Sequence, residues 1–513
     1  MSIMKKKYAT NNLDKPNIPL EILDPKQMGM ADRLAVTLTG DDSFNLMERA
    51  GQAVADIVIK DYRRCRKIAV LCGPGNNGGD GYVAAYILKA HGFDVTCFAL
   101  ANPRENSDAK KTFTIWGGFY SSIDLFEPDK FDLIIDALYG AGLDRPLDAQ
   151  LQALIAKICE SNRPVIAIDL PSGVFGRTGA IAGKAVEATQ TVTFFRLKPG
   201  HVCYPGRAHC GKIVLVNIGI PDAVLDTIKP LVSLNARHLW QKDWPILEYD
   251  THKYRRGHAV VFSGPQTATG AARLAAFAAA RSGAGLVSVI APEDALPVHE
   301  MHLTSIMLKK MADDREILLF LLERKVHSVV LGPAFGNLER AFSIAKAILQ
   351  EATITTLVLD ADALTALSSH REEIFKLIKA SSVNVILTPH EGEFQRVFPD
   401  IAEKEDATRL EKAEQAAKRS GATLIYKGAD TMVAAPSGRI AIAINGTPYL
   451  ATAGAGDVLS GIVGGLAAQQ MPPFEAACAA VWIHAECARH YGPGLIAEDI
   501  VSVIPAVLRE ISM

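Results

Sequence analysis

The chain reads as an α/β protein of two domains, each built on a parallel sheet between helical layers. Three observations carry that reading. Short apolar runs alternate with amphipathic stretches along both halves, the pattern of buried parallel strands joined by crossover helices. Glycine-rich turns follow several of these runs where strand should pass to helix. At 513 residues the chain is also too long for one ordinary hydrophobic core.

In the first half the expected strands are 67–72 ("KIAVLC"), 94–100, 131–138, 164–170, 191–195 and 212–220. A helix over 42–63 precedes them, and amphipathic stretches such as "DAQLQALIAKICESN" lie between. These elements place a first domain at 1–225. The pattern then loosens, and 226–250 is expected to be a linker. A second series fills 251–513: "GHAVVFSG", an alanine-rich helix over 270–282, "GLVSVIA", "SVVLGP", "TLVLDAD", "NVILTPH" and "TLIYKG", with helices from Asp457 onward. The halves show no mutual repeat, so they are read as different domains.

Composition narrows the function. Lys and Arg number 54 against 56 Asp and Glu, so no basic surface points to nucleic acid or anionic lipid. No long uninterrupted apolar run suggests a membrane span, and "KKK" at 5–7 reads as a solvated tail without the apolar stretch of a signal peptide. Eight scattered cysteines suit reduced thiols in a cytoplasmic enzyme. In "HVCYPGRAHC", Cys203 and Cys210 with His201 and His209 lack zinc-site spacing and read as a turn between strands.

The loop "GPGNNGGDG" satisfies G-x-G-x-x-G through Gly73, Gly75 and Gly78. A dehydrogenase would add an acidic residue at the end of the next strand to grip the ribose, but Asp94 stands at that strand's start. Asn76, Asn77 and Asp80 instead set amide and carboxylate oxygens beside glycine N–H groups, where phosphate or a hard cation fits. Taken alone, the loop fits a plain strand-to-helix turn equally well. Two further strand ends, "IIDALYGAGLDRP" with Asp136 and "AIDLPSG" with Asp169, Pro171 and Ser172, favour a site. Ligands of parallel sheets bind outside the carboxyl ends of the strands, so these polar ends should converge.

"GPGNNGGDG", "DALYGAGL" and "DLPSGV" together resemble the NAD(P)H-hydrate epimerases, over about residues 20–220. The resemblance implies a Rossmann-like three-layer α/β/α domain that interconverts R and S hydrates of NADH and NADPH (NADHX and NADPHX), hydroxylated at C6 of the nicotinamide ring. It implies that Asn76, Asn77, Gly78, Gly79 and Asp80 hold the substrate, together with Gly140, Ala141, Gly142, Leu143, Asp144, Arg145 and Pro146. Asn77, Asp136 and Ser172 would ligate K⁺. Asp169 would bind substrate and act as the catalytic carboxylate, assisting loss and return of the hydroxyl by proton transfer.

In "ATAGAGDVLSGIVGGLA" (451–467), Gly454, Ala455 and Gly456 expose consecutive N–H groups at a helix start, suited to a phosphoryl group. Asp457 follows, placed to accept a proton from a substrate hydroxyl. An ordinary capped helix end is the plain alternative. With "HKYRRGHAVVFSG", "TGAARLAA", "RSGAGLVSV", "LGPAFG", "LDADALTAL", "TPHEGEF" and "YKGADT", the turn resembles the ADP-dependent NAD(P)H-hydrate dehydratases of ribokinase-like α/β fold. The resemblance implies that Lys427, Gly428, Ala429, Asp430, Thr431 and Gly456 hold ADP as co-substrate. Ala271, Gly336, His390 and the catalytic Asp457 would contact the hydrated nicotinamide, and Glu393 would support Mg²⁺ through water.

Two residues depart from that pattern. Ala455 stands where a Ser or Thr is common, and Glu391 replaces a common proline, which should loosen its loop. Because Gly-Ala-Gly-Asp also occurs in sugar kinases, a small-molecule kinase with an accessory nucleotide-binding domain stays open as an alternative. A non-catalytic first domain is a further one, opposed by the presence of Asn77, Asp136, Asp169 and Ser172. The expected partners are small molecules, with self-association into a homo-oligomer.

Overall fold

The computed structural model describes residues 18–181, 183–311, 313–351 and 354–512. The "KKK" tail at 5–7 therefore lies outside the described residues. The chain divides into two compact units at Pro230/Leu231.

The first unit is a seven-stranded sheet, parallel throughout. Across it the strands run Ser121–Ser122, Asp94–Ala99, Lys67–Cys72, Leu133–Ala137, Val165–Ile168, Gln190–Phe194 and Lys212–Val216. Leu133–Ala137 and Val165–Ile168 are buried along their whole length, as a sheet covered on both faces requires. Val54, Tyr82 and Ala85 pack one face, and Leu151, Ile155 and Ile158 the other. Strand order reverses between Lys67–Cys72 and Leu133–Ala137, so the ligand crevice of an open α/β sheet falls there. Register brings the three polar ends level: Cys72 lies beside Ala137, and Asp136 beside Ala167.

A helix over Pro25–Thr39 precedes the expected opening helix, observed at Ser43–Asp61. Asp24 and Gln27 form a capping box at its start, and Gly40 closes it in the left-handed region. Its mostly half-exposed face gives only a weak apolar period, which hides it in the sequence.

The second unit holds a ten-stranded sheet. Its order is Met307–Lys310, Leu286–Ala291, His258–Phe262, Ser328–Leu331, Thr356–Leu359, Asn384–Leu387, Thr423–Tyr426, Met432–Ala434, Ile440–Ile442 and Val232–Leu234. Only the two ladders of Met432–Ala434 are antiparallel. Much of the stretch expected as a linker joins this unit. Val232–Leu234 pairs with Ile440–Ile442, Asn235 Nδ2 donates to the Cys478 carbonyl at 2.8 Å, and Trp240 is fully buried. A three-residue strand is too short to show a period of two, so sequence pattern misses it.

The helix Ala455–Ala468 crosses helix Thr269–Arg281 at close range: a Cβ on Gly461 would sit 2.2 Å from the Ala275 carbonyl oxygen. Its glycines and alanines permit that approach and bury the helix almost entirely, fixing its N-terminus in place. No helix of the described residues is long and apolar enough to cross a membrane.

Candidate active sites

In the first unit, the strand ends build two adjoining features. Asp136 is wholly buried; its Oδ1 accepts from the Ser172 hydroxyl at 2.6 Å and its Oδ2 from the Ser172 N–H at 2.8 Å. Burial pushes its carboxyl up to about 6 against those hydrogen bonds. No ion pair offsets its charge among the described residues. Asn77 stands at the start of helix Asn76–Ala90, and its Nδ2 is buried without a partner among the described residues. Gly140 lies between Asn77 and Asp169: a Cβ there would meet Asp169 Oδ2 at 2.8 Å and Asn77 Oδ1 at 3.0 Å.

Asp169 adopts φ +63°, a turn that aims its carboxylate back across the loop. Oδ2 accepts from the Ala141 N–H at 2.8 Å, and Oδ1 from the Thr193 hydroxyl at 3.1 Å. The Lys198 ammonium lies 2.8 Å from Oδ1, and the His201 Nε2–H donates to the Asp169 carbonyl at 2.7 Å. His201 Nδ1 accepts from the Lys198 N–H, so the imidazole is the neutral Nε2–H form. Burial, seconded by Lys198, holds it down at about 4.

Burial alone would raise the Asp169 carboxyl, but Lys198 foremost, with His201 and the hydrogen bonds, holds it at about 2. A carboxylate held there is an anion at neutral pH. Its setting therefore supplies a fixed negative charge and two hydrogen-bond-accepting oxygens at the crevice. Two other carboxyls feel its field. Asp80 is raised well above the usual range by burial, then by Asp169 and Asp32; Asp32 is raised to about 6 by burial, with Lys198 opposing and Asp169 adding.

The expected binding loops are partly inward. Gly78 and Gly79 are buried, and a Cβ on either would strike the Gly73 carbonyl oxygen at 1.9 Å or the Met47 sulfur at 2.6 Å. They permit close packing rather than presenting side-chain contacts. Asn76, Gly142, Asp144, Arg145 and Pro146 are exposed, Leu143 is half-buried and Ala141 is buried. In the "HVCYPGRAHC" stretch, His209 Nδ1 lies 3.2 Å from the Val186 carbonyl oxygen and Cys210 Sγ bonds to Gly206. Two short helices, Pro199–Val202 and Gly206–His209, replace the expected turn.

In the second unit, Gly454 takes φ +84° and starts helix Ala455–Ala468, leaving the N–H groups of Ala455, Gly456 and Asp457 at its first turn. His484 Nε2 donates to the Ala455 carbonyl at 2.9 Å and braces the turn. The Lys427 ammonium reaches this turn, 3.5 Å from where a Gly456 Cβ would stand. Asp360, fully buried, holds it at 3.0 Å; Thr388 and Ser460 hydroxyls donate to the same carboxylate at 2.6 Å each. Burial would lower the Lys427 ammonium, but Asp360, Glu393 and Asp457 raise it. Burial and then Asp360 push the Asp457 carboxyl up to about 6, with Lys427 opposing.

Glu393 caps the backbone N–H of His390 at 2.9 Å and lies 3.8 Å from Lys427. Its other oxygen, Oε1, lies 3.4 Å from His390 Nε2. Gly336 has φ +81°, and its N–H donates to Asp362 at 2.8 Å; Ala271 is half-buried. The 427–431 loop divides. Gly428 and Ala429 are exposed, while Thr431 turns its hydroxyl onto the Gly428 carbonyl at 2.8 Å. Asp430 is buried in an ion pair with Arg409, so its side chain shapes the loop. Glu391 does not loosen its loop: its carboxylate accepts from the Tyr426 hydroxyl at 2.5 Å.

Lys198, Thr193 and Asp32 in the first half, and Asp360, Thr388, Ser460 and His484 in the second, are not singled out by the sequence, and His201 is considered there only as a metal ligand. Asp360 was within reach, because "TLVLD" ends a strand on an aspartate as "LIID" and "AIDL" do. Lys198 leaves a fainter mark, one cation after the apolar run of a central strand.

The two sets of strand and helix ends define an α/β protein with two candidate sites, one a cluster of buried carboxyls around the Lys198–Asp169 pair, the other a glycine turn backed by a lysine. Residues 43–200 match the family described as YjeF-related protein N-terminus, and residues 259–505 match NAD(P)H-hydrate dehydratase. The chain is 33% identical to a bifunctional NAD(P)H-hydrate repair enzyme of Moorella thermoacetica, covering 94% of this chain and 96% of that protein. A namesake from Escherichia coli K12 is 31% identical over 96% and 95%. A crystal structure of the ADP/ATP-dependent NAD(P)H-hydrate dehydratase of Bacillus subtilis, co-crystallized with ATP and Mg²⁺, is 25% identical, covers 54% of this chain and 98% of its own, and gives a TM-score of 0.48. The chain belongs to the family of bifunctional NAD(P)H-hydrate repair enzymes, isomerase and lyase in one polypeptide. Membership spans both halves, so the kinase alternative falls away.

Proposed function

We propose that the first unit interconverts R- and S-NAD(P)HX at the Asp169 crevice, and that the second dehydrates the S form with ADP at the Gly454–Asp457 turn. The observation that carries this reading is the Lys427 ammonium, held by Asp360 beside the first turn of a buried helix whose third residue is Asp457. That arrangement offers two kinds of positive charge to a phosphoryl group and a carboxylate to the hydroxyl that receives it.

In the second unit, Lys427, Gly456 and the exposed backbone of Gly428 and Ala429 bind ADP, with Asp430 and Thr431 shaping that loop. Ala271, Gly336 and His390 hold the nicotinamide. Asp457 takes the proton from the C6 hydroxyl as its oxygen bonds the terminal phosphorus of ADP and the bond to AMP breaks. A carboxyl near 6 suits a general base at neutral pH. The C6–O bond then breaks with its electron pair on phosphate, the N1 lone pair closes onto C6, and loss of a C5 proton restores the dihydropyridine. Glu393 would support Mg²⁺ through water, and that ion would supply charge neutralisation at the phosphoryl group.

In the first unit, the exposed Asn76 and the 140–146 loop bind the nucleotide, and Asp80 lines the same pocket. K⁺ fits the residues present. Asp136 is a buried carboxyl without a cation among the described residues, and the missing Cβ of Gly140 leaves Asn77 Oδ1 uncovered. These oxygens are donors of the kind a hard monovalent cation takes, whereas the unpartnered Asn77 Nδ2 is not. Asn77, Asp136 and Ser172 would hold the ion, which supplies fixed positive charge to anchor a phosphate-bearing substrate. The Asp169 anion faces the reactive ring. None of the eight cysteines forms a disulfide among the described residues, which suits a reducing cytoplasm.

The test is an absorbance assay on mixed R and S hydrates with ADP or ATP, scoring AMP and phosphate. Full recovery of NAD(P)H with one AMP per turnover on ADP supports the reading. Inertness with both nucleotides contradicts it.

A further inference from the structure

We propose that Lys198 is a positioning residue of the first site: it selects Asp169, among three neighbouring carboxyls, as the fixed anion that faces the substrate ring. The inference rests on the epimerase reading of this unit.

The ammonium is 2% exposed, and its three protons have three acceptors: Asp169 Oδ1 at 2.8 Å, Thr193 Oγ1 at 2.9 Å and the Phe194 carbonyl at 3.2 Å. Thr193 passes its own proton to the same Asp169 oxygen, so one closed network fixes the carboxylate in place. Lys198 also caps the short helix that carries His201, whose Nε2–H grips the Asp169 carbonyl. Side chain and backbone of Asp169 are thus held from the same four-residue stretch, 198–201. A buried ammonium is costly unless paired, and apolar packing would serve stability as well. What apolar packing cannot supply is a counter-charge. Asp32 on the first helix and Asp80 on the loop helix both repel Asp169; Lys198 is the cation set against both, and Arg33 acts on Asp32 as well. His201 is neutral, and the buried Cys210 thiol below also feels the Asp169 charge.

The chemistry needs that charge. When the C6–O bond breaks with its electron pair on oxygen, the N1 lone pair forms the N1–C6 double bond and the ring becomes a cation beside hydroxide. Return of hydroxide to the opposite face re-forms the bond and inverts C6. An anion fixed before the bond breaks stabilises the cation without reorganising at that moment.

The test is a double-mutant cycle on R-NADHX, coupled to excess dehydratase and normalised to dehydration of pure S-NADHX by the same preparation. Lys198→Met should cut kcat by about 10²-fold with KM changed little. It should also give the rate an ascending dependence on pH that wild type lacks, because Asp169 then takes up a proton. Lys198→Arg should keep most activity and the wild-type profile. In an Asp169→Asn background, Lys198→Met should cost little more, since the two act as a unit. That last comparison removes both charges together and stands even where Lys198→Met alone does not fold. Additive losses, or a Lys198→Met defect confined to KM with an unchanged pH profile, would overturn the proposal. Wild-type protein that leaves R-NADHX to its spontaneous rate would instead overturn the epimerase reading beneath it.

Discussion

Both sites rest on a lysine–aspartate pair, and the two pairs are built in opposite senses. In the first unit Lys198 is the hidden partner, 2% exposed, and Asp169 reaches the crevice at 19%. In the second Asp360 is hidden at 2%, and Lys427 reaches out at 20%. Hydroxyls complete each hidden end, Thr193 in one and Thr388 with Ser460 in the other. The difference teaches how one ion pair serves two chemistries. The buried member fixes the charge of the exposed one, giving an anion at the crevice for which a ring cation is proposed and a cation at the turn for which phosphate is proposed.

The largest expected effect lies outside both pairs. Asp457→Ala should lower dehydration by about 10³-fold while R-to-S conversion proceeds, because it removes the base that the Lys427 side of the comparison only assists. AMP release measures the first quantity and chiral separation of the hydrates the second. Breaking the comparison itself comes next. Lys427→Met strands a buried Asp360, and urea unfolding should show about 3 kcal/mol of lost stability. Asp360→Leu with Lys427→Met should recover much of that stability without activity.

The pH profile sharpens the same contrast. Asp457 must be ionised to accept a proton, so kcat/KM for dehydration should rise through about pH 6 and flatten above it. Asp360→Asn removes a charge that raises Asp457, so the rising limb should move to lower pH. An unmoved limb would show that Asp360 does not act on Asp457. A smaller effect is expected at the cation site proposed beside Asp136, where Ser172→Ala should weaken K⁺ activation of R-to-S conversion about tenfold. The smallest belongs to Tyr426→Phe, which frees Glu391 and should cost about 1 kcal/mol of stability with little change in turnover.

Much of this architecture is legible in the sequence, and the gaps have physical causes. Central strands such as Lys67–Cys72 and Thr423–Tyr426 announce themselves because burial on both faces demands an unbroken apolar run. Edge pieces such as Ser121–Ser122 and Val232–Leu234 are too short to carry a pattern. At the sites, residues aligned with strand ends are readable, because topology alone brings Asn77, Asp136 and Asp169 to one edge. The supporting partners are not. Lys198 and His201 reach Asp169 from more than 28 residues away along the chain, and Ser460 reaches Asp360 across 100. Such pairings follow from packing, which no local window contains. The glycines carry a second constraint that the loop motif does not show: a Cβ on Gly78 or Gly79 would strike Gly73 or Met47.

The central claim is that one chain holds two independent chemistries, inverted in charge. An equal mixture of R- and S-NADHX, supplied with ADP and K⁺ and followed by the return of NADH absorbance, tests it most directly. Wild type should convert the whole mixture, and Asp169→Asn should convert the S half at wild-type speed before slowing to the spontaneous rate. Asp169→Asn protein that completes the conversion at the wild-type rate would contradict the account.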